Sequence, residues 1–308
     1  RGQGSKGASG GDFALDIANA LWIQQNHRCG PSFLDTLAVN YDAGVHELDF
    51  AHQHESARKT INAWVANGTH DRIPELLHQG DVNPKTLFVL TNAVYFNGAW
   101  RDPFDEKLTR QLPFHAPSGD KPVATMSGRR SNALHGHGAD YEAISLPYDG
   151  DELSMLVILP QSGDLKTFEE SLDAAKLDAI HASLSHVDVD LTLPTFTFKR
   201  RVLLKEKLMA MGMKLVFDDN GGAELPGLCD GCTHPIMVAK VIHEAFIKVN
   251  EKGAEATGAT AIVGRDGGVS MPPEVETMQV DRPFLFVIED HGTKTVLFVG
   301  RVLDPTQS

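Results

Sequence analysis

The stretch "NEKGAEATGATAIVGRDGGVSMPPEV", residues 250–275, decides how this chain is read. It lies between two strand-like runs, "VIHEAFIKVN" (241–250) and "TMQVDRPFLFVIED" (277–290), yet its first half holds little besides Ala, Gly and Thr. Taken as a strand, residues 254–262 present two faces with a period of two. One face carries Ala254, Ala256, Gly258, Thr260 and Ile262; the other carries Glu255, Thr257, Ala259 and Ala261. The first fits the middle of a packed sheet without displacing what covers it, and the second holds the segment's only charge. Such a stretch makes a poor core by itself and a good occupant of a slot that other strands have already built. By composition alone it is also a small-residue linker.

The 308 residues carry 28 Lys plus Arg against 41 Asp plus Glu, a formal net charge of -13, with 42% hydrophobic and 22% charged residues. That is the balance of a folded globular chain. An excess of acid offers no broad basic surface to phosphate backbones, so no nucleic acid partner is expected. The longest apolar runs, "LSMLVILP" (153–160) and "FLFVI" (284–288), fall short of the roughly 20 residues that cross a bilayer, so no membrane partner is expected either. The opening "RGQGSKGASGG" has neither Met nor an apolar leader; residues 1–12 read as a flexible segment, with something upstream removed or omitted. Its "GASGG" formally matches G-x-S-x-G, but no strand precedes Ser9 and no helix follows, so it makes no nucleophile elbow and no enzyme.

Cys29, Cys229 and Cys232 are too few for a disulfide scaffold. "CDGC" (229–232), with His234 close by, lacks the second pair of a zinc site. "HGHG" (135–138) reads as a solvated turn. No metal and no cofactor is therefore expected.

No internal repeat and no Pro- or Ser-rich linker divides the chain, which favours one domain. "FALDIANALWIQQ" (13–25) predicts a strand, and "PSFLDTLAVNY" (31–41) a helix that Pro31 can start. "SARKTINAWVANGT" (56–69) predicts a helix with Ala57, Ile61, Trp64 and Val65 on one face. "TLFVLTNAVYFNGAW" (86–100) is β-branched and aromatic enough for a central strand. From about residue 112 the pattern is mostly strand, interrupted by an amphipathic helix over "KRRVLLKEKLMAMG" (199–212). The class is α+β, with helices early and sheet late.

Several of these stretches resemble one family. "VIHEAFIKVNEKGAEATGAT" (241–260) resembles the strand end and hinge that open the reactive-centre loop of serpins, the serine protease inhibitors. "MQVDRPFLFVI" (278–288) matches the family's signature residue for residue, and "FVGRVLDP" (298–305) matches its carboxyl end. "FVLTNAVYFNGAW" (88–100) is similar to its long central strand, and "ARKTINAWVANGT" (57–69) to the helix lying across the sheet. The resemblance implies a single serpin domain over 13–305, with a large central β-sheet, further sheets and an exposed reactive-centre loop at about 251–275. Counterparts of the N-terminal helices are lacking, so the chain is expected to be an N-terminally truncated serpin.

What the resemblance implies for function is inhibition by suicide. A target serine protease cuts the loop, and the hinge, with the protease still attached through its own acyl bond, inserts into the central sheet as a new strand. The hinge would be Glu251, Gly253, Ala254, Glu255, Ala256, Thr257, Gly258, Ala259 and Thr260; Ala254 and Thr257 stand where the family more usually has Thr and Ala. Asn92, Trp100 and His243 match the region where the sheet opens, without the hydroxyl residues that usually accompany Asn92 and His243. The cleaved bond has three candidates. Similarity of "VSMPPEV" to the stretch after the cut in antitrypsin-like serpins favours Val269-Ser270 and an elastase- or subtilisin-like target. The usual hinge length counted from Glu251 gives Gly267-Gly268, and Arg265-Asp266 would suit a trypsin-like enzyme. The protein is expected to be a secreted, extracellular monomer. The competing reading is a non-inhibitory serpin acting as a carrier or interaction protein.

Overall fold

Alternating apolar residues in "FALDIANALWIQ" form the first strand, β1 (Phe13–Gln24). The computed structural model describes residues 13–27, 29–41, 44–161, 165–218, 227, 228, 238, 240–254 and 275–307. Two units organise these residues. One holds Leu15–Tyr95 and Lys199–Phe246, and the other holds Phe96–Phe198 and Ile247–Ser308.

In the first unit, helix α1 (Pro31–Tyr41) starts at its proline, and β2 (Gly44–Leu48) runs parallel to β1. Helix α2 (Phe50–Gly68) begins earlier than its apolar face predicts. The Asp49 carboxylate caps its first turn by accepting from the His52 amide at 3.0 Å, and a kink at Gln53, with φ -134° and ψ 36°, separates that turn from the rest of the helix. Strand β3 (Phe88–Ala99) has its lower half here. Strand β9 (Phe196–Leu203) corrects the predicted helix over 199–212, since only α5 (Lys205–Ala210) is helical. The reason is tertiary: Arg201 donates to Leu76 O at 2.7 Å and pairs with Asp81, and Lys199 reaches Glu244 at 3.6 Å. These partners hold the basic residues in a ladder despite their helix propensity. Strand β10 (Val241–Asn250) pairs directly and in parallel with β3, from Val241↔Leu90 to Phe246↔Tyr95. The sheet order in this unit is β2-β1-β3-β10-β9. Trp22 of β1 stacks on His46 of β2 at 4.4 Å and meets Trp64 of α2 edge-on at 5.4 Å, which seats the helix on one sheet face.

The second unit carries the other sheet. Its strands are β4 (Arg110–Ala116), β5 (Gly119–His137), β6 (Tyr141–Pro147), β7 (Leu153–Pro160), β8 (Ser185–Pro194), β12 (Val275–Gln279), β13 (Phe284–Asp290) and β14 (Thr295–Val302). Among the described residues their order is β12-β8-β5-β6-β7-β13-β14, with β4 beside β5. All eight residues of β7 are buried, which explains why "LSMLVILP" is apolar apart from Ser154, whose hydroxyl is hydrogen-bonded to His291 Nε2 at 2.7 Å. Two helices, α3 (Leu165–Ser171) and α4 (Ala174–Ser183), interrupt the predicted run of strands and correct the reading of helices early and sheet late. Phe168 and Ile180 from them pack on Tyr141, Leu156, Ile158 and Leu285. The "HGHG" turn is also corrected: His135 and His137 end β5, and His135 is 1% exposed. Strand β11 (Gly253–Ala254) belongs to this unit and is described next.

Candidate functional site

At Asn250 the chain leaves β10, reverses over Glu251 and Lys252, and returns as β11. Asn250 holds its own turn, its Oδ1 accepting from the Lys252 amide at 2.9 Å. Glu251 is pinned from outside the turn. Its carbonyl accepts from the Phe104 amide at 2.8 Å, and its carboxylate accepts from Thr109 Oγ1 at 2.6 Å. The returning residues enter between two strands. Gly253 and Ala254 pair antiparallel with Ala99 and Gly98 of β3 on one side, and with Asn250 and Val249 of β10 on the other.

Gly253 is required at the corner. Its φ is +140°, and a Cβ there would stand 2.1 Å from Gly98 O and 2.6 Å from Ala99 Cα. Gly253→Ala is therefore expected to expel β11. The loss is limited to the few ladder bonds released, about 2–3 kcal/mol at about 1 kcal/mol each. Urea unfolding checks it: the midpoint falls while the slope is unchanged.

Trp100 closes the entry. It is 3% exposed, stacks on Tyr148 with ring centroids 4.7 Å apart at 11°, and donates from Nε1 to Asn250 O at 2.9 Å. Its amide donates to Lys252 O at 2.8 Å. One aromatic residue thus touches both ends of the turn.

In the first unit, Asn92 of β3 and His243 of β10 are register partners, and their side chains are joined through Asn92 Oδ1 and His243 Nδ1. Asn92 Nδ2 donates to Asn19 Oδ1 of β1 at 2.5 Å. With that amide donating, Asn92 Oδ1 must accept, so His243 Nδ1 carries its proton. Burial pushes the His243 imidazole below its ordinary value. The folded chain therefore refuses a proton that the unfolded chain binds below about pH 6.5, and stability rises with pH through that window. Thermal melts between pH 5 and 7 are expected to show a weaker acid loss for His243→Gln than for the parent.

Of the residues singled out in the sequence, Asn92 and His243 meet in the first unit, and Trp100, Glu251, Gly253 and Ala254 meet in the second. Glu255, Ala256, Thr257, Gly258, Ala259 and Thr260 lie outside the described residues, as do Arg265, Asp266, Gly267, Gly268, Val269 and Ser270. Cys229, Cys232 and His234 lie outside them as well. Cys29 is free, and its thiol donates to Leu228 O at 3.3 Å. Sequence reading missed Asn19, Thr109 and Tyr148, because each matters through a partner far along the chain. No helix among the described residues is long and apolar enough to cross a membrane.

Comparison with known proteins bears on this geometry. The family model described as Serpin (serine protease inhibitor) matches residues 3–305. The chain is 35% identical over 299 residues to an uncharacterized serpin-like protein of Methanosarcina mazei, covering 96% of this chain and 68% of that one. It is also 35% identical over 305 residues to leukocyte elastase inhibitor of Homo sapiens, covering 96% and 79%. The crystal structure of Manduca sexta serine protease inhibitor (serpin)-12 matches with a TM-score of 0.84 at 26% identity, over 99% of this chain and 79% of that one. With the family match running through both units, from residue 3 to residue 305, the chain belongs to the serpin family of serine protease inhibitors, which bind proteases and are not themselves enzymes.

Proposed function

We propose that this protein inhibits its target protease as a suicide substrate, by completing the strand that β11 begins. The observation that carries the reading is that Gly253 and Ala254 already ladder to β3 on one side and β10 on the other, while the lower halves of those strands still pair with each other. Continued in the same register, Glu255 would meet Asn97 and Lys248, and Ala256 would meet Phe96 and Ile247. Each step exchanges one parallel ladder for two antiparallel ones. At about 1 kcal/mol per bond gained, such a strand releases on the order of ten kcal/mol. That supports the distortion of an acylated protease dragged with it. We place the hinge at 251–260 within one serpin domain, 13–305, that acts as a monomer.

Val269-Ser270 is the bond we assign to the cut, and an extracellular elastase-like serine protease is the target class. The similarity to a protein named leukocyte elastase inhibitor supports that class. Mass spectrometry after incubation with elastase-, trypsin- and subtilisin-like enzymes tests both assignments. The expected product is a carboxyl-terminal peptide beginning at Ser270, together with a protease complex that survives detergent. A peptide beginning at Gly268 or Asp266 overturns the bond. Cleavage without a complex, and without a rise in melting temperature of the cut chain, overturns the mechanism and returns the carrier reading.

A further inference from the structure

Residues spaced as His-x-His on a strand share one face, and β5 ends on such a pair, His135 and His137. Their rings stand edge to face with centroids 4.8 Å apart. Two carboxylates converge on them. Glu142, from the neighbouring strand β6, has Oε1 3.0 Å from His135 Nε2. Glu276, from β12, has one oxygen, Oε2, 2.7 Å from His135 Nδ1 and 3.1 Å from His137 Nε2. One donor atom each from His135, His137 and Glu142 lies within 4.8 Å of the others.

A neutral His135 cannot satisfy both of its carboxylates. With the proton on Nε2 it donates to Glu142, and the Nδ1 lone pair then faces the Glu276 oxygen. With the proton on Nδ1, the same conflict moves to Glu142. Nδ1 is buried, and although it is close to Glu276 it is out of line for a hydrogen bond, so that contact is not one. A proton added to Nδ1 would lie on the ring's own lone-pair axis, off the line to the Glu276 oxygen, and so would make a poor hydrogen bond. A metal ion on the same lone-pair axis, at a longer bond, stands off that line where it can also reach the Glu276 oxygen. Bonds of about 2.0–2.2 Å at tetrahedral angles separate donors by roughly 3.3–3.5 Å. The 3.1 Å pair is near that spacing, and the 2.7 Å pair reaches it with a shift of Glu276, whose side chain is 38% exposed.

We propose that His135 Nδ1, His137 Nε2 and the Glu276 carboxylate bind a divalent transition-metal ion of the zinc class, with Glu142 holding His135 in the required tautomer through Nε2–H. A ligating histidine whose other N–H is bonded to a carboxylate is the usual second partner in such sites. Two nitrogens and one oxygen suit Zn²⁺ and exclude Mg²⁺ as the preferred ion. The fourth position is open to water. The ion would tie β12, which begins at Val275 directly after the reactive segment, to the end of β5. Its occupancy would therefore stabilise the strand that anchors the loop's far side. The site stands or falls independently of the inhibitory mechanism.

The test is calorimetric titration of the tag-free full chain with ZnCl2 after chelator treatment. A single saturable ion per chain is expected, with a melting temperature that rises with Zn²⁺ and not with Mg²⁺. His137→Ala and Glu276→Gln, both at partly exposed positions, are expected to weaken binding by about tenfold or more, while His52→Ala, at a surface histidine, leaves it unchanged. No saturable binding overturns the proposal. So does binding that survives in both variants, including binding that is lost instead in Cys229→Ser.

Discussion

Ala256→Arg is expected to turn the inhibitor into a substrate, cut at the same bond as the parent but releasing active protease. In the register that β11 begins, residue 256 would lie between Phe96 and Ile247, on the face of Ala254; all three are 0% exposed. A guanidinium entering there leaves water with no opposite charge beside it, at a cost of several kcal/mol. Each 1.4 kcal/mol added to the insertion barrier slows it about tenfold, while hydrolysis of the acyl bond keeps its rate. The number of inhibitor molecules consumed per protease inactivated should rise about tenfold or more. Glu255→Arg is the comparison. Its neighbours in the same register are Asn97, half-buried, and Lys248, exposed, so its effect should stay within about threefold. Equal consumption by the parent and Ala256→Arg would mean that the segment never becomes a buried strand.

The other large effect is expected at Trp100. Trp100→Ala removes a nearly fully buried indole, its stack on Tyr148 and its bond to Asn250 O, and should lower unfolding stability by about 3–5 kcal/mol. Trp100→Phe keeps a ring against Tyr148 and loses only the donor, a loss of about 1–2 kcal/mol. Denaturant titration separates the two. If both variants fall equally, the bond to Asn250 dominates over packing. If neither falls, Trp100 does not secure the turn.

How far these features could be read from residues alone depended on where their causes lie. β3 was legible because Val89, Val94, Tyr95 and Phe96 make a local pattern no helix or loop shares. β9 was not, since what keeps "KRRVL" extended is Asp81, Glu244 and Leu76 O, all distant in sequence. The start of α2 was hidden because its first turn is polar, and its cap, Asp49, carries no periodicity. Asn92 and His243 were found through family resemblance, while Asn19, which fixes their hydrogen-bond direction, lies on another strand and carries no signal of its own. "HGHG" looked solvated because glycine and histidine are turn-like by composition. His135 is buried beside Glu142 and Glu276 on two other strands, while His137 stays half-exposed.

The turn at Asn250–Gly253 also bears on speed. The slowest part of adding a strand to a sheet is the start, when chain entropy is lost before any ladder forms to offset it. Here the reversal is already made, Gly253 already sits in the one backbone shape the corner accepts, and Ala254 is already flanked on both sides. A zipper with its slider seated on the first teeth needs no search for its beginning. The race against hydrolysis would then be run entirely in the closing, one residue after another.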